Sequence, residues 1–259
     1  MYLYNMFVRP KKHLGQHFLT DQSVAQHIVA ALEPIVTNVL EVGPGMGVLT
    51  QYLIKRDDIT LKAVEIDSES VIYLRENYAA ITPNLYEEDF LKLDLKKIYG
   101  EQPFSVIGNF PYNISSQIFF KILDYKDSVP QVVCMIQKEV AERIAAKEGS
   151  KTYGILSVLL QLWYNIDYLF TVGEGAFLPP PKVKSAVIRL SRNDRKTLPC
   201  DENLLKQVVK AGFNQRRKTL RNSLKQICDS RGVTLSDEFA GLRPEQLSVE
   251  DFIKLTQSI

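Results

Sequence analysis

The sequence predicts an α/β protein in which a doubly wound, mostly parallel sheet is covered by helices and followed by a small helical domain. Short apolar segments alternate with helical periodicities as far as residue 190, and such alternation implies right-handed crossovers between parallel strands. A glycine-rich segment, residues 43–47, directly follows one of the apolar segments. From residue 203 onward the periodicity is purely helical.

The elements of the first part follow from the spacing of their apolar residues. The chain begins with a predicted helix at 21–33, which Asp21 or Ser23 can cap, and with a strand at 39–42 that leads into the glycines. The sequence then predicts helices at 48–55, 68–78 and 115–124, and strands at 60–65, 84–87, 104–108, 131–137 and 185–190.

The last quarter of the chain predicts a separate helical domain. Helical signals recur after residue 203 and near 213–229, 235–240 and 248–257, and the polar stretch at 191–199 is typical of a linker. We therefore predict an N-terminal arm at 1–20, a Rossmann-like domain at 21–192 and a helical domain at 193–259.

Composition narrows the class of protein. The 259 residues are 45% hydrophobic, and no apolar run approaches the roughly 18 residues of a membrane span. The start MYLYNMFVRPKK places apolar residues before basic ones, the reverse of a signal peptide, so a cytoplasmic location is expected. Cys134, Cys200 and Cys228 lie far apart without Cys-x-x-Cys or nearby His pairs, which indicates neither disulfides nor a metal site.

Charge is distributed unevenly along the chain. The net charge is +2, but residues 182–225 contain thirteen Lys or Arg and three acidic residues, a local charge of +10 that leaves −8 elsewhere. A basic segment beside an acidic body is the electrostatic footprint expected for a nucleic-acid partner. A solvated helix surface is the alternative.

The glycine loop predicts a nucleoside cofactor. Glycine lets the backbone approach a ligand closely, and Glu65 ends the next strand about 20 residues later, where a carboxylate can bind a ribose. The spacing is G-x-G-x-G and no G-K-[ST] follows, which favours S-adenosylmethionine over a phosphate-bearing ligand. Asp89 ends the following strand, within reach of the cofactor adenine. Structural turns are the alternative at both places.

The segment Asn109-Phe110-Pro111-Tyr112 leaves a predicted strand at its carboxyl end. An exocyclic amine on adenine is a poor nucleophile because its lone pair is delocalised into the ring. Acceptance of its hydrogens by the Asn109 side-chain oxygen and by the carbonyl oxygen of Phe110 or Pro111 would localise that lone pair. Tyr112 would stack on the base. The segment therefore predicts a clamp for an amino group; a strand-to-helix turn is the alternative.

Four motifs occur in order along the chain: KKHLGQHFL at 11–19, EVGPG at 41–45, NFPYNIS at 109–115 and AFLPPPKV at 176–183. Together they resemble the KsgA (RsmA) family of ribosomal RNA adenine dimethyltransferases. The resemblance implies a class I S-adenosylmethionine-dependent methyltransferase that dimethylates two adjacent adenosines near the 3′ end of small-subunit (16S) rRNA during ribosome biogenesis. The implied partner is the small ribosomal subunit. We expect a monomer that uses no metal and no membrane.

The resemblance also implies roles for individual residues. The residues that would hold the cofactor, beginning in the N-terminal arm, are His17, Leu19, Gly43, Glu65, Asp89 and Asn109. The implied catalytic group adds Pro111, the base-stacking Tyr112 and Phe177, which would cover the other face of the adenine. The family commonly has asparagine at the position of His17 and leucine at that of Phe110. If His17 contacts the cofactor through its backbone, this change is mild. If its imidazole replaces an amide hydrogen bond, cofactor affinity would depend on pH.

The segment 214–225 predicts a basic helix that binds rRNA phosphates. Its apolar residues would pack on one stripe while cations at four-residue spacing lie on another. The predicted phosphate contacts are Arg216, Arg217, Lys218, Arg221 and Lys225, with Lys11 and Lys12 of the arm. Such contacts position a protein on RNA without reading its sequence.

Two other functions stay open. A large-subunit rRNA adenine methyltransferase of the erythromycin-resistance type shares the fold and the Asn-x-Pro-Tyr pattern, although the arm motif and the triple proline favour the small-subunit family modestly. A noncatalytic nucleic-acid-binding relative is the other alternative. The retention of Gly43, Glu65, Asp89 and Asn109 argues against it.

Overall fold

The computed structural model describes residues 8–11 and 14–259. These residues form two compact units, one comprising the described residues up to Ala141 with Asp167–Arg192, the other Glu142–Ile166 with Asn193–Ile259. From the sequence, residues 142–166 were predicted to belong to the first domain. In the structure this segment groups with the C-terminal helices, because the Gly149 N–H donates to the Glu245 carbonyl at 2.6 Å and the Tyr153 ring packs edge-on against Phe213 at 5.9 Å.

The strands are short and mostly buried. In chain order they are β1 (Phe18–Leu19), β2 (Asn38–Val42), β3 (Thr60–Glu65), β4 (Leu85–Glu87), β5 (Ser105–Asn109), β6 (Gln131–Gln137), β7 (Tyr164–Val172), β8 (Phe177–Leu178) and β9 (Ser185–Arg192). Those predicted near 39–42, 60–65, 84–87, 104–108, 131–137 and 185–190 are present, and β7 was not predicted.

The helices connect these strands and form most of the second unit. They are α1 (Gln22–Ala30), α2 (Thr50–Leu53), α3 (Ser68–Asn77), α4 (Lys96–Tyr99), α5 (Ser115–Asp124), α6 (Lys138–Ala145), α7 (Ile155–Gln161), α8 (Glu202–Asn214), α9 (Leu220–Ser223), α10 (Lys225–Arg231), α11 (Asp237–Ala240) and α12 (Val249–Gln257). Asp21 caps α1 as predicted, accepting from the Ser23 N–H at 2.9 Å.

The main sheet confirms the predicted α/β architecture. Seven strands of the described chain lie in the order β4-β3-β2-β5-β6-β9-β7. The pairs from β4 to β6 are parallel, and β9 runs antiparallel to β6. The carboxyl ends of β2, β3, β4 and β5 therefore meet at one edge, where ligands bind in open α/β sheets.

Packing at the centre of this sheet leaves little freedom. Val106 and Ile107 of β5, like Ile118 and Phe119 of α5, have no exposed surface. A Cβ on Gly108 would lie 2.5 Å from the Val42 carbonyl oxygen, so only glycine fits there. Gly108 directly precedes Asn109, and its backbone is held against β2.

A second, two-stranded sheet ties the N-terminal arm to the segment that precedes the triple proline. β1 and β8 pair antiparallel, with Phe18 opposite Leu178 and Leu19 opposite Phe177. The Thr20 N–H donates to the Ala176 carbonyl at 2.8 Å. Strands of two residues carry no periodic signal, which is why the sequence did not predict them.

The prediction of one helix at 213–229 is wrong. α8 ends at Asn214, and a basic turn, residues 215–219, separates it from α9. The cause is tertiary: Leu220 is fully buried, and its N–H donates to the Leu242 carbonyl at 2.8 Å. A Cβ on Gly212 would lie 3.5 Å from the Leu220 side chain, so the chain folds back onto α8 instead of continuing it.

The cysteines remain separate thiols in the structure. Cys134 and Cys228 are buried and Cys200 is partly exposed, and burial raises the pKa of the Cys134 thiol. Within the described part of the chain, no three His, Cys, Asp or Glu side chains are grouped as a metal site requires. None of the described helices is long and apolar enough to cross a membrane.

Candidate active site

A cavity of about 270 Å³ lies at the carboxyl ends of the parallel strands, close to the ~300 Å³ at which small-molecule sites begin. Eight of the residues singled out from the sequence line it: His17, Leu19, Gly43, Glu65, Asp89, Asn109, Pro111 and Tyr112. Phe177 is not among the described lining residues. Its side chain is 4% exposed and belongs to the core cluster around Leu19, so the structure does not bring it to the cavity.

The glycine loop has a shape that only glycine adopts without strain. Gly43 and Gly45 have φ angles of 68° and 56°, in the left-handed region. The Gly43 N–H donates to the Val64 carbonyl at 2.9 Å. A Cβ on Gly43 would meet no atom within 4 Å, so the space beside this backbone is open to a ligand.

The Glu65 carboxylate is fixed from both sides. One oxygen accepts the Gly45 N–H and the other accepts the Asp67 N–H, each at 2.9 Å. The residue is 4% exposed, and burial raises its pKa although these N–H groups oppose the shift. Each oxygen keeps a second lone pair, which suits a carboxylate that accepts hydrogen bonds from two neighbouring hydroxyls.

Asp89 approaches the cavity from the segment after β4. One of its carboxylate oxygens accepts the Leu91 N–H at 2.9 Å, and the other lies 3.5 Å from the Lys92 ammonium. The Asp89 carbonyl accepts from Lys92 and Leu93 N–H groups, both at 2.9 Å. The turn predicted as the alternative role is therefore present, together with a carboxylate at the cavity.

Glu41 is a buried acid that the sequence analysis did not single out. It lines the cavity from β2 and accepts a hydrogen bond from the Thr50 hydroxyl at 2.7 Å. Burial, with a smaller contribution from Glu65, raises its pKa to about 8. Glu41 is thus mostly neutral at pH 7, and its hydrogen-bond donor is a hydroxyl, whereas Glu65 accepts from two backbone N–H groups.

The clamp loop, residues 109–113, presents its polar atoms from a fixed backbone. The Asn109 side-chain NH₂ donates to the His17 carbonyl at 3.1 Å, which leaves its Oδ1 without a partner among the described residues. The Phe110 N–H donates to the Met135 carbonyl at 3.0 Å, and the Pro111 carbonyl accepts the Ile114 N–H at 3.2 Å. Of the two candidate carbonyls, that of Phe110 is therefore the better placed to accept from a ligand.

The two aromatic residues of the clamp loop differ in role. Phe110 is 1% exposed and packs edge-on against Phe119 with ring centroids 5.9 Å apart, so it anchors the loop in the core. The Tyr112 hydroxyl lies 2.5 Å from the Ser185 Oγ of β9. Burial raises the pKa of Tyr112, which keeps its phenol neutral.

His17 contacts the clamp loop through both backbone and side chain. Besides the carbonyl that accepts from Asn109, its ring stacks on Tyr112 at 5.4 Å and 28°. Its Nδ1 lies 2.9 Å from the Pro179 carbonyl oxygen. The His17 imidazole therefore lies against Tyr112, and the His17 carbonyl binds the Asn109 side chain.

Lys11 is held inside the first unit. Its ammonium pairs with Asp67 and lies 3.3 Å from Glu69, and the hydrogen bond to Asp67 raises the pKa of Lys11. Burial alone would raise the pKa of Asp67, but hydrogen bonds from Lys11, Gln16 and Ser70 outweigh it and lower that pKa. Lys11 was predicted to contact rRNA; in the structure it binds a buried carboxylate. Lys12 lies outside the described residues.

The cations predicted to bind phosphate differ in what they contact. Arg216 donates to the Ser150 carbonyl at 3.1 Å and lies 3.9 Å from Glu245, so it fastens the basic turn. Arg221 and Lys225 are exposed and pair with Asp237 and Asp229 at 3.3 and 2.6 Å. Arg217 and Lys218 are exposed and have no ion pair or hydrogen bond to other described side chains.

Comparison with known proteins places the chain in a family. The family described as ribosomal RNA adenine dimethylase matches residues 8–259. The chain belongs to this family. A relative from Bacteroides thetaiotaomicron, named ribosomal RNA small subunit methyltransferase A, is 60% identical over 253 residues, which cover 97% of this chain and 94% of the relative. The resemblance drawn from the four motifs is confirmed.

Solved structures confirm the predicted methyltransferase fold. A dimethyladenosine transferase from Plasmodium falciparum has a TM-score of 0.73 at 24% identity, covering 92% of this chain and 96% of that one. The 23S rRNA methyltransferase ErmE has a TM-score of 0.66 at 26% identity, covering 93% and 99%. Both likenesses extend over nearly the whole chain.

Proposed function

We propose that this protein transfers methyl groups from S-adenosylmethionine to the exocyclic amines of two adjacent adenosines near the 3′ end of small-subunit rRNA, giving N6,N6-dimethyladenosine. The observation that carries the proposal is the Asn109 side chain, whose NH₂ is held by the His17 carbonyl at 3.1 Å while its Oδ1 stays available. Family membership supports the reaction, and the 60% identical relative named as a small-subunit enzyme supports the substrate.

The cavity residues fit the cofactor. The open space beside Gly43 allows close approach of a ligand to the backbone, and the doubly anchored Glu65 carboxylate can accept from ribose hydroxyls. Asp89 lines the same cavity, where its carboxylate can accept from the adenine amine. Leu19 and His17 of the arm also line the cavity. S-adenosylmethionine supplies a methyl group on a sulfonium, whose departure leaves a neutral thioether.

The clamp loop activates the target amine by accepting its hydrogens. Asn109 Oδ1 and the Phe110 carbonyl oxygen pull the nitrogen toward tetrahedral geometry, which localises its lone pair. The burial of Phe110 and the N–H bond to Met135 hold these acceptors in place. Pro111 restricts the backbone between them and Tyr112. Positioning contributes most of the rate enhancement, because displacement of a neutral leaving group needs neither a metal nor a base of shifted pKa. The N–C bond forms as the S–C bond breaks, and the amine proton then leaves to solvent.

Tyr112 supports the target base. A ring stacked on a base contributes about 1–3 kcal/mol, and the Ser185 hydrogen bond fixes the orientation of the phenol. One face of Tyr112 already contacts His17, so the base is expected on the other face. Phe177 is buried in the core cluster and is therefore not assigned a contact with the target base.

The second unit supplies the contact with rRNA. Arg217 and Lys218, exposed on the basic turn, are the proposed phosphate ligands, with Arg221 and Lys225 added where rRNA outcompetes their exposed carboxylate partners. The proposed partner is the small ribosomal subunit, and a cytoplasmic location is part of the same proposal. The described residues that line the cavity all belong to the first unit, and we propose that the protein acts as a monomer.

The test is transfer of labelled methyl groups to unmodified small subunits, large subunits and naked rRNA, followed by nucleoside analysis. We expect label in small subunits, recovered as N6,N6-dimethyladenosine. Label confined to large subunits would contradict the proposal and support the erythromycin-resistance type, which the likeness to ErmE keeps as the second candidate. Absence of S-adenosylmethionine binding by calorimetry would instead support a noncatalytic relative.

A further inference from the structure

The arm segment, residues 14–19, contacts the clamp loop at three separate points. The His17 carbonyl accepts the Asn109 NH₂ at 3.1 Å, and the His17 ring stacks on Tyr112 at 5.4 Å. Gly15 lies so close to Asn113 that a Cβ would fall 2.6 Å from its Oδ1. The same segment lines the cavity, so its position affects the residues assigned both to the amine and to the cofactor.

The arm segment is anchored by one buried carboxylate. The Asp67 side chain has no exposed surface and pairs with Lys11, while its other oxygen accepts the Gln16 NH₂ at 3.1 Å. Gln16 in turn accepts the Lys11 N–H at 2.8 Å. The Asp67 N–H donates to Glu65 at 2.9 Å. Asp67 is not among the described residues that line the cavity.

We propose that Asp67, with Lys11 and Gln16, positions the arm segment so that the His17 carbonyl holds Asn109 with its oxygen toward the target amine. These three are positioning residues for methyl transfer. The function of Lys11 is to pair with Asp67, not to bind rRNA phosphate. The inference rests on the proposed role of Asn109 in methyl transfer.

The chemistry of the amide explains why the arm matters. A carboxamide can rotate to exchange its oxygen and its NH₂, and the wrong orientation would present donors to an amine that also donates. The His17 carbonyl accepts only from the NH₂, which fixes the orientation. If the arm shifts, this bond is lost, and misplacement of a reactive group by about 1 Å can cost on the order of 100-fold in rate.

The experiment measures single-turnover methyl transfer to small subunits at saturating S-adenosylmethionine and saturating substrate. The variants are Lys11→Met, Lys11→Arg and Asp67→Asn. Lys97→Met is the matched control, because Lys97 is an exposed lysine of the same unit whose side chain has no hydrogen bond or ion pair with described residues. Substrate KM is measured at two salt concentrations for each protein.

We expect the rate at saturation to fall about tenfold in Lys11→Met and Asp67→Asn, to recover in Lys11→Arg and to stay unchanged in Lys97→Met. The double variant Lys11→Met/Asp67→Asn should be no slower than either single variant, because each substitution breaks the same ion pair. Two results together would overturn the inference: Lys11→Met raises the substrate KM in a salt-sensitive way without changing the rate at saturation, and Asp67→Asn has no effect. Lys11 would then be a phosphate-binding residue, as the sequence predicted.

Two glycine substitutions distinguish an effect on the contact between the arm segment and the clamp loop from an effect on stability. Gly15 and Gly100 have similar φ angles of 65° and 61°, but a Cβ on Gly100 meets nothing within 4 Å. Gly15→Ala should slow transfer at saturation, whereas Gly100→Ala should lower the melting temperature alone. Equal rates in both variants would contradict the inference. The wild-type protein is measured before the variants. If it does not methylate small subunits, the proposed function is wrong, and the variants do not test the inference about Asp67.

Discussion

The clamp loop and the basic turn are both polar segments that follow regular elements, but they are held differently. The clamp loop is fixed by β6, α5, β9 and the arm through Met135, Phe119, Ser185 and His17. The basic turn is fastened by Arg216, while Arg217 and Lys218 extend into solvent. The difference indicates that chemistry requires a rigid presentation, whereas phosphate binding needs only charge at the surface.

The largest effect is expected from Asn109→Ala. Loss of a preorganised hydrogen-bond partner at a reacting group costs about 100- to 1000-fold, so the single-turnover rate should fall by that factor. Calorimetry should still detect S-adenosylmethionine binding, since Gly43 and Glu65 are untouched. A variant that methylates at the wild-type rate would contradict the clamp.

Replacement of Tyr112 should have an intermediate effect that depends on the ring. Tyr112→Ala should lower kcat/KM by roughly 5- to 150-fold, the equivalent of ~1–3 kcal/mol of stacking. Tyr112→Phe keeps the ring and loses only the Ser185 hydrogen bond, worth about 1 kcal/mol. Steady-state kinetics on small subunits would show whether the ring or the hydroxyl matters more, and equal losses would argue against stacking.

Charge removal from the basic turn should act on affinity alone. In the double variant Arg217→Gln/Lys218→Gln, the slope of log affinity against log salt should decrease by about 1.4–1.8, because each lost phosphate contact contributes roughly 0.7–0.9. Arg216→Gln is the comparison: it should lower the melting temperature by freeing the 149–150 loop and leave the slope unchanged. If Arg216→Gln lowered the slope and the double variant did not, Arg216 would be the phosphate ligand, and Arg217 and Lys218 would not.

The smallest effect on methyl transfer is expected from Glu41→Gln, which acts on stability. The folded state raises the pKa of Glu41 from 4.5 to about 8, so its stabilising contribution is complete below pH 4.5 and is lost as pH rises toward 8. Relative to the variant, the wild-type free energy of unfolding should fall by about 1.4 kcal/mol per pH unit across that window. Parallel urea-unfolding curves from pH 5 to 8 for both proteins would contradict it.

The sequence predicted those parts of the molecule that strand order determines. Glu65 and Asn109 end β3 and β5, the two parallel strands that flank β2, and Asp89 follows the end of β4, so topology alone brings them to one edge. The alternation of short apolar runs with helical periodicities, and the glycines that follow the run at 39–42, were sufficient for this inference. The N-terminal arm and the clamp loop were associated only through the family motifs.

What the sequence could not predict depends on tertiary contacts. The break at the basic turn follows from Leu220 packing on Gly212, which no helical periodicity reveals. The burial of Phe177 follows from the β1–β8 pair. Asp67 gave one weak signal, its position two residues after Glu65, but its link to Lys11 spans 56 positions and belongs to no local pattern.

The most direct test of the account pairs Asn109 with the amine that it is proposed to hold. Competition binding would compare small-subunit rRNA hairpins that carry adenosine or purine riboside, which lacks the amine, at the target position. The wild-type protein should prefer adenosine by about tenfold, as expected for one or two hydrogen bonds of ~1 kcal/mol each, and Asn109→Ala should lose most of that preference. An equal preference in both proteins would contradict the amine clamp.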